Sequence, residues 1–145
     1  MLLPAERSEP CLTPVLLTGV PAGFPSPADD YIDRWLDLNE YLVRNKASTF
    51  FMRVTGDSME GAGIFDGDLL VVDKSLEPVD GQVVIAEIDG SIRVKRLLRK
   101  GERCWLESAN PKYPLVEVRD EGARIWGVVT SSIHPLSKSS HVRVG

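Results

Sequence analysis

The sequence predicts a mostly β protein, a body of partly closed sheets with short helices and an extended N-terminal arm. Three observations carry this. Beyond Ser48 the chain is a succession of short apolar runs rich in Val, Ile and Leu; acidic-glycine pairs fall between these runs; and residues 1–28 hold six of the ten prolines without any sustained period of 2 or 3.6. The expected organisation is an arm over 1–28, a β domain over 29–136 and a polar tail over 137–145.

The arm is expected to lack regular structure. Within it, Val20-Pro21-Ala22-Gly23-Phe24-Pro25 sets two small residues between apolar residues and prolines. Small residues let a backbone approach another surface closely, and a residue before proline is biased to extended conformations. A plain proline-rich linker is the alternative. Over Asp29 to Arg44 the apolar positions Ile32, Trp35, Leu36, Tyr41 and Leu42 are compatible with helix, but Asp37-Leu38-Asn39 interrupts them. Asn39 is a candidate cap for a short helix through Arg44, and 29–38 stay open between helix and extended chain.

Seven strands follow: Thr49 to Val54, Asp68 to Asp73, Gln82 to Ile88, Ser91 to Leu98, Arg103 to Glu107, Leu115 to Val118 and Arg124 to Ser132. Asp66-Gly67, Asp80-Gly81, Asp89-Gly90 and Glu121-Gly122 punctuate them. Asp89-Gly90, joining two apolar runs directly, is the strongest hairpin signal, because a type I′ turn needs positive φ at both central residues. Short strands with few helices give a β body.

A chain of 145 residues can bury one ordinary core, and its 43% apolar and 26% charged residues are those of a globular protein. No apolar run nears the roughly 20 residues of a bilayer span, and the N-terminus lacks a secretory pattern, so a cytoplasmic location without membrane association is expected. Cys11 and Cys104 have no second Cys or paired His nearby. They read as incidental thiols, with no metal site and no cofactor expected. The net charge of -4 is uneven: residues 1–40 carry seven acids against Arg7 and Arg34, while the remainder has fourteen acids and fifteen bases. That balance argues against direct DNA binding, despite the local basic cluster Arg93, Lys95, Arg96, Arg99, Lys100 and Arg103. An acidic arm suits lying across the body or meeting a basic partner.

The chemistry centres on Gly56-Asp57-Ser58-Met59, just after the run Phe50 to Val54. A serine there is either a turn or N-cap residue or a nucleophile. A nucleophilic serine needs a base within hydrogen-bond reach. The two histidines, His134 before a proline and His141 in the polar tail, read as surface residues, which disfavours a Ser-His-Asp triad. Lys95 is the other candidate base. It lies inside a strand and shares a face with Arg93 and Leu97 by period 2. On the solvated face of an edge strand it would be an ordinary surface lysine. Under a cover, desolvation opposes the ammonium form and lowers its pKa, and serine with lysine is a known variant of triad logic. At a strand-to-helix bend the Ser58 and Met59 backbone N–H groups can hold an oxyanion.

Four ordered segments, Val54-Thr55-Gly56-Asp57-Ser58-Met59, Gly63 through Asp73, Asp80 through Ala86 and Val94-Lys95-Arg96-Leu97, resemble the LexA/UmuD family of self-cleaving serine-lysine peptidases. Ala22-Gly23 looks like that family's scissile bond, and Gly23 through Tyr31 resembles the UmuD branch in particular. The resemblance covers about residues 19–130. It implies a LexA/UmuD-like β fold, a homodimer, Ser58 as nucleophile, Lys95 as general base and cleavage at Ala22-Gly23. It further implies an SOS-response role, in which a RecA-type recombinase filament on single-stranded DNA stimulates cleavage and the shortened dimer joins a UmuC-type error-prone translesion DNA polymerase. The 22 proline-containing residues before the cleavage site cannot form the helix-turn-helix domain of a repressor, which favours the UmuD branch. Three other readings stand beside it: a non-catalytic dimerisation and partner-binding module of the same fold, a LexA-like repressor fragment, and a signal peptidase, which the lack of a membrane anchor opposes.

Overall fold

The computed structural model describes residues 9–16, 32–118 and 123–137. The chain forms two compact units, Met1–Arg44 and Asn45–Gly145.

In the first unit, β1 (Leu12–Leu16) pairs antiparallel with β2 (Ile32–Asp37), with Leu12 opposite Asp37 and an irregularity between Val15 and Leu16. The expectation of irregular backbone throughout the arm is therefore corrected over Leu12–Leu16, where cross-strand pairing with β2 supplies the order that local periodicity did not signal. The open question at 29–38 resolves to strand for Ile32–Asp37, followed at once by α1 (Leu38–Leu42). Asp37, not Asn39, is the N-cap. Its extended backbone ends β2, and its carboxylate accepts from the Asn39 N–H at 3.0 Å, so the residue that stops the strand also starts the helix. Asn39 instead accepts the closing bond from the Val43 N–H at 2.8 Å.

In the second unit all seven expected strands are present: β3 (Thr49–Arg53), β4 (Leu69–Asp73), β5 (Val83–Ile88), β6 (Ser91–Lys100), β7 (Arg103–Glu107), β8 (Val116–Val118) and β9 (Ala123–Ile133). They form one sheet in the order β3-β4-β9-β5-β6-β7-β8, with every pair antiparallel. The long β9 thus lies in the interior of the sheet, between β4 and β5. Ile88 faces Ser91 across Asp89-Gly90, and both turn residues have positive φ, 49° and 83°, as a type I′ turn requires.

Alternation explains why the middle of the sheet is buried on both faces. Leu70, Val72, Ile85 and Val94 join one apolar cluster with Val54, Met59 and Ile64; Val84, Ala86, Leu97, Leu106 and Val128 form the other. Adjacent residues of β5 thus feed opposite cores, which is why Val83 to Ala86 is an unbroken apolar run. Gly127 fits the crowded centre: a Cβ there would lie 2.8 Å from Val72 Cγ1.

Asp73 closes the start of this unit. Its carboxylate accepts from Ser48 Oγ (2.7 Å), Asn45 Nδ2 (2.9 Å), and the Ser75 N–H and Oγ (2.8 and 2.7 Å). These donors, led by Asn45, hold its carboxyl far below the usual carboxylate range.

Candidate active site

The serine-bearing turn follows from local chain chemistry. β3 ends at Arg53, and Gly56 takes φ of 89°, a left-handed conformation that side-chain-bearing residues rarely adopt. Its N–H donates to Asp66 Oδ1 at 2.8 Å. Met59 then begins a single 3-10 turn, Glu60–Ala62, which Gly63 closes with φ of 80°. Met59 is fully buried in the apolar cluster, so the turn is pinned by its neighbour's side chain while Ser58 stays half-buried. The expected strand-to-helix bend is present, with a helical element of only three residues.

Lys95 lies on β6, an interior strand between β5 and β7. The surface-lysine alternative is thereby removed, since the residue is only 7% exposed. Its register partner on β5 is Val84, an apolar neighbour that offers no hydrogen bond. Burial, then the charge of Arg93, pushes the Lys95 pKa below the ordinary lysine value. Nζ makes a 2.5 Å hydrogen bond to Ser108 Oγ, itself buried, just past the end of β7.

The segment 108–113 touches both features. Beside Ser108, the Ala109 N–H donates to Met59 Sδ at 3.5 Å, and the Ala109 carbonyl accepts from the Gly61 N–H at 2.8 Å. Asn110 Nδ2 donates to the Asp57 carbonyl at 3.1 Å; Tyr113 Oη donates to Asp57 Oδ1 and Lys112 Nζ pairs with Asp57 Oδ2, each at 2.7 Å. Asp57 is thus an anchor of the serine turn. Lys112, then Tyr113, hold its carboxyl below the usual value.

Ser108, Asn110, Lys112 and Tyr113 were not singled out from sequence, although a signal for Ser108 existed. The tight connection after Lys100 sets Arg96 opposite Glu107, so the next step outward sets Lys95 beside Ser108. His134 lies just past β9, and its Nδ1 bonds Asp68, a fully buried carboxylate that also accepts from Ser132 Oγ (3.1 Å) and the Phe65 N–H (2.9 Å). Its role is in that structural cluster. Ala22, Gly23 and His141 lie outside the described residues. Cys11 and Cys104 are free thiols. Among the described residues no group of His, Cys, Asp and Glu is arranged to hold a metal, and no helix is long and apolar enough to cross a membrane.

A mostly β body with a serine on a glycine-led turn and a buried strand lysine, both fastened to one segment, is compatible with a peptidase-like class of domain. The chain belongs to the Peptidase S24-like family, which matches residues 14–130. It is 48% identical to Protein SamA of Salmonella typhimurium over 136 residues, covering 92% of this chain and 95% of that protein. It is 45% identical to Protein MucA of Escherichia coli over 127 residues, 85% of this chain and 86% of the relative. A LexA repressor from Ectopseudomonas mendocina is 39% identical over 99 residues, 68% of this chain but 48% of the repressor. The resemblance to the LexA/UmuD family is borne out by these relationships.

Proposed function

We propose that the chain is a self-cleaving serine endopeptidase whose principal substrate is its own Ala22-Gly23 bond. The observation that carries this reading is Lys95: a family peptidase domain buries a lysine, depresses its pKa by desolvation and pairs it with a neutral hydroxyl. A neutral amine at Lys95 Nζ takes the proton from Ser58 Oγ as that oxygen attacks the Ala22 carbonyl carbon. The oxyanion of the tetrahedral intermediate rests on the Ser58 and Met59 N–H groups. Collapse breaks the C–N bond, and the Lys95 ammonium returns its proton to the Gly23 amine. Water, deprotonated by Lys95, then attacks the Ser58 ester; Lys95 returns that proton to Ser58 Oγ as the ester bond breaks, releasing residues 1–22.

The same reading assigns the shortened chain, as a homodimer, to an error-prone translesion DNA polymerase of the UmuC type in the SOS response, with cleavage stimulated by a RecA-type filament on single-stranded DNA. This chain covers 95% of Protein SamA and 86% of Protein MucA but 48% of the LexA repressor, which supports the SamA- and MucA-like reading over the repressor one. The test is incubation of the full chain with recombinase, an ATP analogue and single-stranded DNA, alongside Ser58→Ala and Lys95→Ala. Cleavage in the parent and loss of about a thousandfold or more in each variant is expected. Cleavage persisting in Lys95→Ala removes lysine from the mechanism.

A further inference from the structure

We infer that Ser108 is a positioning residue for Lys95, its hydroxyl oxygen accepting a hydrogen bond from Nζ so that the amine is oriented while its lone pair is left free. The inference rests on the peptidase reading of Ser58 and Lys95 given above.

The pairing is built by the sheet. Register across the β6–β7 hairpin brings Leu97 opposite Leu106 and Arg96 opposite Glu107, and the next residues outward are Lys95 and Ser108. Lys95 and Leu97 share one face, as do Leu106 and Ser108, so the polar pair continues an apolar row. Both members are 7% exposed, and their atoms meet at 2.5 Å. A buried amine without a partner carries an uncompensated desolvation cost. What matters is the kind of partner. A carboxylate at this position would stabilise the ammonium and fix the proton on Lys95. A hydroxyl satisfies an N–H without that charge. Should Ser108 instead donate into the lone pair, the base would be masked, so the productive arrangement has Nζ donating and Ser108 Oγ accepting.

The groups around Nζ fit this division of labour. Its strand neighbour Arg93 disfavours a second positive charge, Val84 on β5 is apolar, and beyond β7 Ser108 is neutral. Ser108 also leads directly into the residue that fastens the serine turn, since Ala109 bonds both Met59 and Gly61. One segment therefore sets the orientation of the amine and the placement of the turn, and mispositioning of a catalytic group by about 1 Å is enough to cost roughly a hundredfold in rate.

The experiment uses the full chain with Ser108→Ala and Ser108→Thr, following self-cleavage from neutral to strongly alkaline pH. In parallel, the Lys95 Nζ titration is read by NMR in the non-cleaving Ser58→Ala background with and without Ser108→Ala. Ser108→Ala is expected to lower the alkaline plateau about 10- to 100-fold. It also moves the Lys95 midpoint to lower pH, because the buried ammonium has lost an acceptor. Ser108→Thr, which keeps the hydroxyl, returns the plateau to within about threefold of the parent. A plateau that falls while the Lys95 midpoint stays fixed would indicate a purely structural effect and overturn the inference, as would an unchanged plateau. A parent chain that never cleaves overturns the peptidase reading instead; the NMR midpoint still decides the pairing.

Discussion

The phenol of Tyr113 donates a 2.7 Å hydrogen bond to Asp57 Oδ1, tying the residue before Ser58 to a segment more than fifty positions further along the chain. Lys112 takes the other oxygen of the same carboxylate, and Asn110 holds the Asp57 carbonyl. Three side chains of one segment thus fasten a single turn residue on its carboxylate and its backbone. A turn led by a left-handed glycine and containing one short 3-10 turn has little local order of its own, so these tethers define where Ser58 sits.

Loosening that clamp is expected to affect the turn more than the fold. Tyr113→Phe and Asp57→Asn should accelerate amide exchange over residues 56–61 and slow self-cleavage several-fold, with little change in Tm, because the pair is at the surface. The folded carboxyl of Asp57 titrates below the ordinary value of about 3.9. Its contribution is therefore complete above that value and lost as the pH falls through the lower folded one. Exchange that is unchanged in both variants would show that the clamp does not order the turn.

For Lys95 the slope has the same sign but lies at alkaline pH. Desolvation, then Arg93, lowers its folded pKa, so the unfolded chain binds the extra proton between the folded value and about 10.4. Stability measured by urea unfolding should therefore gain a Lys95-dependent rise with pH across that window, absent in Lys95→Met. Self-cleavage should increase over the same alkaline limb, as the neutral amine becomes available. A cleavage rate that is flat with pH would separate the lysine from the rate-limiting proton transfer.

Gly61 is required for close approach. A Cβ at this position would stand 2.5 Å from the Ala109 carbonyl oxygen, the same atom that accepts the Gly61 N–H. Gly61→Ala should cost about 1 to 3 kcal/mol by chemical denaturation and reduce cleavage beyond the loss of folded protein. An unaltered denaturation midpoint would show that the turn retreats without penalty.

Asp68 is the corresponding test of the sheet. Burial opposes its charge most strongly, yet the Phe65 N–H, the His134 ring and the Ser132 hydroxyl outweigh burial and hold the carboxyl below the usual range. Asp68→Ala strands those partners and should cost about 2 to 3 kcal/mol. The native contribution of this carboxylate is present above about 3.9 and lost on acidification through the folded value. Equal stability of Asp68→Ala and the parent at pH 7 would refute this.

The strands were legible as short runs rich in Val, Ile and Leu, several of them bounded by acidic-glycine turns, and Asp89-Gly90 fixed one hairpin by its chemistry alone. Their order was not, since the placement of β9 between β4 and β5 depends on contacts far apart in sequence. β1 escaped notice because Leu12 to Leu16 contains Pro14 and pairs with β2, some twenty residues further along the chain. At the site, Ser58 and Lys95 stood out as residue types in suggestive contexts. Lys95 could be read as a surface residue until the strand order showed β6 to be interior. The supporting residues Ser108, Asn110 and Tyr113 carry no motif of their own, because their roles arise from register and loop docking.

Intact mass reports directly whether this chain cuts itself between Ala22 and Gly23. The full chain held at about pH 10, where a lowered Lys95 pKa favours the neutral amine, should lose residues 1–22 and leave a product beginning at Gly23, while Ser58→Ala keeps its full mass. An unchanged parent mass over several days, with the β circular-dichroism signal retained, would contradict the account.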